Sequence, residues 1–439
     1  MKRTVLCLVV LGASVSVRAK PLVPADAVRQ HAKQRHDALI QDGFNFTHGW
    51  RLAAGETVPR RLDLIIPEAG EHVLSLWMET LGGEGSIRLL AGDGHPWMEL
   101  AGRTGELTVT RDVAAGKYML EIDVSKSQGG EVLFGVKGSV VSSCELDTAR
   151  VKEIPATASS GFAWPYLLFV PEQVTSQHLL VVPNNTGFST EDVDFLRASE
   201  SCQVEREAAL ASRLGTAMLV PLFPRPKTAT EADNLYLHAL SRAALETTVA
   251  AWARVDLQLL AMIRHARARL QAQGVKAGSK VLLYGFSASG SFVNRFALLH
   301  PQEVLAVASG SPGGWPLAPT AAFDGEALPY PVGIADLQRL VGRPLDLKAA
   351  RRVRWLFFLG DSDENDAVPY RDSFSKANED LIFRRFGKTP VARWKVAERL
   401  YVERGMNARF MLYPGAGHEV TPAMRADVEK FLLEAQRGP

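Results

Sequence analysis

The chain has 439 residues, 46% hydrophobic and 22% charged: a globular composition, and too long for one ordinary domain. Its formal net charge of +2 includes Lys2, Arg3 and Arg18, and no basic cluster stands elsewhere, which argues against nucleic-acid and anionic-membrane partners. The short run Arg351-Arg352-Val353-Arg354 reads as a solvated approach to a strand.

Residues 1–19 join Lys2-Arg3 to an apolar run from Val5 to Val17 and a small residue at Ala19, the pattern of a signal peptide. A periplasmic or secreted mature protein is expected, and no later stretch is long and apolar enough to predict a transmembrane segment. Cys7 falls in the leader, leaving Cys144 and Cys202. An even number in an oxidising compartment suggests one disulfide, with two free buried thiols as the alternative.

Residues 20–43 read as a short helix stopped by Gly43. From 44 to 141 short alternating runs (Leu62–Ile66, Val73–Met78, Ser86–Leu90, Leu107–Thr110, Tyr118–Val124) are separated by glycine-rich turns. They predict a small all-β sandwich, with Tyr118, Leu120, Ile122 and Val124 on one face and Met119, Glu121 and Asp123 on the other. The phrase Val113-Ala114-Ala115-Gly116-Lys117-Tyr118-Met119-Leu120 resembles the last strands of pre-peptidase-type and carbohydrate-binding accessory sandwiches. That implies a surface or glycan contact, with Trp50, Trp77 or Trp97 as platforms. The same tryptophans also satisfy the need of such a sheet for large core residues, and that reading is preferred.

Residues 142–160, polar with Pro155 and paired serines, are expected to be a linker. From 161 to 439 strand-like runs alternate with helical ones, predicting an α/β domain with a mostly parallel sheet and flanking helices. The strands are Tyr166–Val170, His178–Val182, Ala217–Leu222, Val281–Tyr284, Val304–Ala308, Val353–Leu359 and Arg409–Tyr413. The helices include Arg206–Leu214, Val255–Leu270 and Pro422–Gln436.

Gly285-Phe286-Ser287-Ala288-Ser289 lies between a strand and a helix, where a nucleophile elbow lifts a serine above the sheet edge between small residues. Ser287 is then the nucleophile; Ser289 stands where the commonest form has glycine. A serine hydroxyl needs a base to take its proton, and the base needs a carboxylate to hold its tautomer. The order serine, acid, histidine is met. Trp355–Gly360 leads into Asp361, Asp363, Glu364 and Asp366, of which Asp363 is the first choice for the acid, Asp366 the second and Asp361 the third. A calcium loop is disfavoured, because the spacing lacks its glycine and closing glutamate. The loop Pro414-Gly415-Ala416-Gly417-His418 supplies the histidine after the last strand. Oxyanion donors are expected from the backbone of Ala288 and, by position, of Asn185 or Thr186 in Pro183-Asn184-Asn185-Thr186-Gly187. Trp315, in the proline- and glycine-rich stretch after 309, is the candidate wall of a substrate pocket, with anchoring of a rigid loop as an equal alternative. Pro224–Leu245, with Tyr236 and His238, is a second candidate rim.

These three motifs in this order, over Trp164–Phe431, resemble an α/β-hydrolase. With Asn294-Arg295-Phe296-Ala297-Leu298-Leu299-His300-Pro301 after the elbow, the chain is similar to bacterial secreted esterases and polyhydroxyalkanoate-depolymerase-type hydrolases. The resemblance implies an eight-stranded sheet and acyl-enzyme chemistry on a small or polymeric ester, with no metal or organic cofactor. A serine peptidase would use the same residues, and an inert hydrolase unit carried by a glycan-binding sandwich is the alternative of another class.

Overall fold

Alternation in the first part of the chain builds two antiparallel sheets. The computed structural model describes residues 35, 46–52, 60–66, 69–80, 84–123, 130–137, 141–142, 144, 146–185, 191–226, 235–370 and 372–437. The expected leader falls outside them, as does the expected helix 20–43 apart from Arg35. The chain divides into two units, Met1–Glu145 with Arg197–Cys202 and Leu146–Leu196 with Gln203–Pro439.

Among the described residues of the first unit nine strands run Phe46–Leu52 (β1), Arg60–Ile66 (β2), Gly70–Thr80 (β3), Gly85–Leu90 (β4), Pro96–Gly102 (β5), Thr104–Val113 (β6), Gly116–Asp123 (β7), Gly130–Lys137 (β8) and Val141–Ser142 (β9). They pair in the orders β1-β8-β3-β6 and β5-β4-β7-β2-β9. Leu74, Leu76 and Met78 of one sheet and Ile87, Leu89, Leu120 and Ile122 of the other share a single hydrophobic cluster, as the two-residue period of a strand requires. Glu121, on the other face of β7, is also buried, its carboxylate held by Arg61 and Arg88. Trp77 lies under the Arg35 guanidinium, and Trp97 packs on Tyr118 with its ring centroid 5.2 Å away. The side chain of Trp50 is outside the described set. Cys144 and Cys202 form a disulfide.

The second unit carries an eight-stranded sheet. Its strands are Val151–Ile154 (β10), Tyr166–Phe169 (β11), Leu179–Val181 (β12), Met218–Pro221 (β13), Val281–Phe286 (β14) and Val304–Gly310 (β15). Past a small hairpin, Ala322–Phe323 (β16) with Glu326–Ala327 (β17), come Arg354–Gly360 (β18) and Asn407–Tyr413 (β19). The order is β10-β11-β13-β12-β14-β15-β18-β19. The β10–β11 and β11–β13 pairs are antiparallel and every later pair is parallel. β11, β12, β13 and β14 are buried throughout, so they read as unbroken apolar runs and not as alternating ones.

Two expectations change. Residues 142–160 are not only a linker: Val151 and Ile154 are buried, and β10 pairs in full register with β11, so the sheet begins before 161. Residues 376–403, given no element from sequence, form helices Lys376–Arg385 and Pro390–Glu403. Their signals were present, namely a capping box at Ser375 and Thr389 followed by Pro390.

Parallel strands end at one edge. The loops that follow β12, β14, β18 and β19 therefore carry Asn185, Ser287, Asp363 and His418 to the same side of the sheet, the side where open α/β sheets bind ligands.

Candidate active site

The chain turns from β14 into the helix Ala288–Leu299 within one residue, Ser287. That turn forces Ser287 to φ 61° and ψ −125°, a region a non-glycine residue occupies at a cost of about 1–3 kcal/mol. The surroundings hold it there. The Ser287 N–H donates to the Gly310 carbonyl at 2.9 Å, and the Ser291 N–H donates to the Ser287 carbonyl at 3.0 Å. Glycine is needed on either side, because a Cβ on Gly285 would stand 2.3 Å from the Ser289 carbonyl oxygen and one on Gly290 2.3 Å from that of Gly310. Ser289 is not a blemish in the motif: its hydroxyl accepts from the Phe286 N–H at 3.0 Å and donates to the Phe286 carbonyl at 2.9 Å.

His418 Nε2 lies 3.0 Å from Ser287 Oγ, and its Nδ1 lies 3.1 and 3.0 Å from the two carboxylate oxygens of Asp363. A carboxylate can only accept, so Nδ1 carries the proton and Nε2 is free to accept the serine's. The Phe286 ring packs beside the imidazole at 4.8 Å. Asp363 is buried and also accepts the Asn365 N–H at 2.9 Å. Burial alone would raise its pKa, but the hydrogen bond and charge of His418, with further hydrogen bonding, outweigh it and hold the carboxyl below its ordinary value.

The other two aspartates are engaged elsewhere. Asp366 is buried in a bidentate pair with Arg393, at 2.9 and 2.7 Å. Asp361 is exposed and accepts the Gly415 N–H at 2.7 Å, tying the acid loop to the histidine loop.

Ala288 is the first residue of the helix, so its N–H has no carbonyl within the helix to meet. Asn185 reaches the elbow through its side chain, which donates to the Phe286 carbonyl at 3.1 Å. Thr186 lies outside the described residues. Asn184 is buried and braces the loop, exchanging bonds with the Phe223 backbone at 2.8 and 3.1 Å.

At Trp315 the structure favours the second of the two readings, the anchor of a rigid loop. Trp315 is wholly buried, stacked on Phe386 at 4.2 Å with its indole N–H on the Val332 carbonyl, and belongs to a cluster with Leu328, Val368 and Phe374. It anchors the segment; its neighbours Pro312, Gly314 and Pro316 line a narrow cavity with Leu359, Arg393 and Trp394. The rim stretch behaves differently. Tyr236 and Ala239 form a small buried cluster with Ala288, and His238 is buried with Nε2 3.0 Å from the Phe223 carbonyl. Burial pushes its pKa down to about 4. Arg295 and Arg393, both wholly buried and bonded to loops of this region, were given no role from sequence, since a lone arginine in a helical pattern reads as surface.

No protein-family model matches the chain, and the comparison with curated proteins found no match. Among solved structures, poly(aspartic acid) hydrolase-1 from Sphingomonas sp. KT-1 is 19% identical at a TM-score of 0.42, over 66% of this chain and 98% of that one. A thermostable esterase is 12% identical at a TM-score of 0.40, over 88% and 97%. An arylesterase is 12% identical at 0.38, over 68% and 87%. Likenesses this remote carry no argument about activity.

Proposed function

We propose that this protein is a serine hydrolase of the α/β-hydrolase type that cleaves a carboxylic ester or a related acyl bond through an acyl-enzyme. The observation that carries the reading is the hydrogen-bonded chain Ser287 Oγ, His418 Nε2, His418 Nδ1, Asp363. In this account Ser287 Oγ attacks the acyl carbon while its proton passes to His418 Nε2, and Asp363 stabilises the imidazolium. The carbonyl oxygen, now negative, accepts from the N–H of Ala288 and from the loop at Asn185. Collapse of the tetrahedral intermediate expels the alcohol, which takes the proton from His418. Water then repeats the sequence on the acyl-serine and frees the acid.

The rest of the reading follows the sequence. The leader sends the protein to the periplasm or outside the cell, a compartment in keeping with the Cys144–Cys202 disulfide. The two antiparallel sheets of the first unit form an accessory sandwich.

Steady-state turnover of nitrophenyl esters beside the matching anilides tests the reaction class. Ester hydrolysis lost in Ser287→Ala supports the reading, anilide preference moves it to a peptidase, and turnover of neither by folded protein removes it.

A further inference from the structure

Arg295 stands two turns along the helix that begins after Ser287, and none of its surface is exposed. Its Nη1 donates to the Ala239 carbonyl at 2.6 Å, to the Leu240 carbonyl at 3.5 Å and to Ser373 Oγ at 3.0 Å. Nε and Nη2 have no hydrogen-bond partner, and no carboxylate among the described residues pairs with the guanidinium. The rings of Phe374 and Tyr330 lie 5.2 and 5.9 Å from it. A buried cation without a counter-ion costs several kcal/mol, and an apolar side chain of similar volume would avoid that cost. The charge must therefore be read from what it holds.

What it holds is one turn. Leu237–Ala239 is a single 3-10 turn, and Leu240 follows it with φ 49°. The Ser241 hydroxyl accepts the Tyr236 N–H at 3.0 Å, and Tyr330 Oη donates to the Leu240 carbonyl at 2.5 Å. The face of this turn presented by Tyr236 and Ala239 packs on Ala288, the residue after the nucleophile.

We propose that Arg295 is a positioning residue: its guanidinium straps the turn Tyr236–Ser241 against Ala288, fixing the wall of the acyl pocket beside the oxyanion donor. The charge is useful because carbonyls at the end of a strained turn accept more strongly from a cation than from a neutral donor. The proposal rests on Ser287 being the nucleophile.

The test compares wild type, Arg295→Met, Arg295→Lys and Tyr330→Phe. A fluorophosphonate probe titrates competent sites, and kcat and KM per titrated site are measured on acetyl, butyryl and hexanoyl nitrophenyl esters, beside Tm. Arg295→Met is expected to lose about ten- to hundredfold in kcat per titrated site, with a changed dependence on acyl length. Arg295→Lys recovers part of it, since an ammonium keeps one bond to a carbonyl. Arg295→Met with a lowered Tm but wild-type kcat, KM and acyl-length profile overturns the proposal. If that variant does not fold, Tyr330→Phe decides: it frees the Leu240 carbonyl of one bond and leaves the charge in place. A shift of about threefold or more in the acyl-length profile supports the strap, and an unchanged profile overturns it. Wild type that takes no probe at all sinks the nucleophile assignment instead.

Discussion

His418 Nε2 stands 3.0 Å from Ser287 Oγ although 131 residues separate them in the chain. They meet because β14 and β19 are members of one parallel run and release their loops at the same edge. Asp363 arrives by the same route from β18, between β15 and β19. The arrangement is thus a property of the sheet, and substitutions in it separate chemistry from folding.

Asp363→Asn leaves the shape intact but lets the imidazole adopt the wrong tautomer. A loss of about 10⁴-fold in kcat at a near wild-type Tm is expected. Asp366→Asn does the opposite: it leaves Arg393 buried without its partner, at a cost of about 3–5 kcal/mol, while folded molecules keep their turnover. Denaturant melts and kcat per titrated site for both variants settle the assignment, and loss of chemistry in Asp366→Asn alone reverses it.

Ser289→Ala removes both bonds that clasp Phe286 and leaves a buried N–H short of a partner. A loss of about 1–3 kcal/mol in urea unfolding is expected. Ser289→Gly, which restores the commoner form of the turn, should keep its activity. Full stability in the alanine variant would mean that the elbow is held by Gly310 and Asn185 without the clasp.

How much of this was legible beforehand differs by residue. Ser287 and His418 were readable because each stands in a glycine-containing turn directly after a strand, and both turns are local. Asp363 was readable only to its loop: Asp361, Asp363 and Asp366 are alike in sequence, and what separates them is which way a three-dimensional turn faces. Trp315 stayed open because a tryptophan among prolines suits a pocket wall and a buried anchor equally, and only its stack on Phe386 distinguishes them. β10 was hidden in a polar stretch, being a four-residue edge strand with Lys152 and Glu153 between its two buried residues.

His238 gives a pH signature. Its folded pKa of about 4 lies below the ordinary value because burial disfavours the charged ring. Its contribution is therefore complete above about pH 6.5, and falls away as pH drops from there toward 4, since only the unfolded chain takes up the proton. Between pH 7 and pH 5 the expected loss is about 2 kcal/mol. His238→Gln should remove that part of the slope; equal pH profiles for the two proteins would show that the ring titrates normally.

The Cys144–Cys202 bond closes a separation of 58 residues. Loop-closure entropy puts its contribution at about 4 kcal/mol. Melting with and without reductant, beside Cys144→Ser/Cys202→Ser, should show a Tm several degrees lower in both reduced forms, and equal Tm values would contradict it.

The central claim is that Ser287 is a nucleophile activated by His418. The most direct measurement is intact mass of the purified protein after reaction with a fluorophosphonate, alongside Ser287→Ala and His418→Ala. The account predicts one adduct per chain, mapped to Ser287, absent in Ser287→Ala and slowed by about 10⁴-fold or more in His418→Ala. An adduct on folded Ser287→Ala, or none on folded wild type, would contradict it.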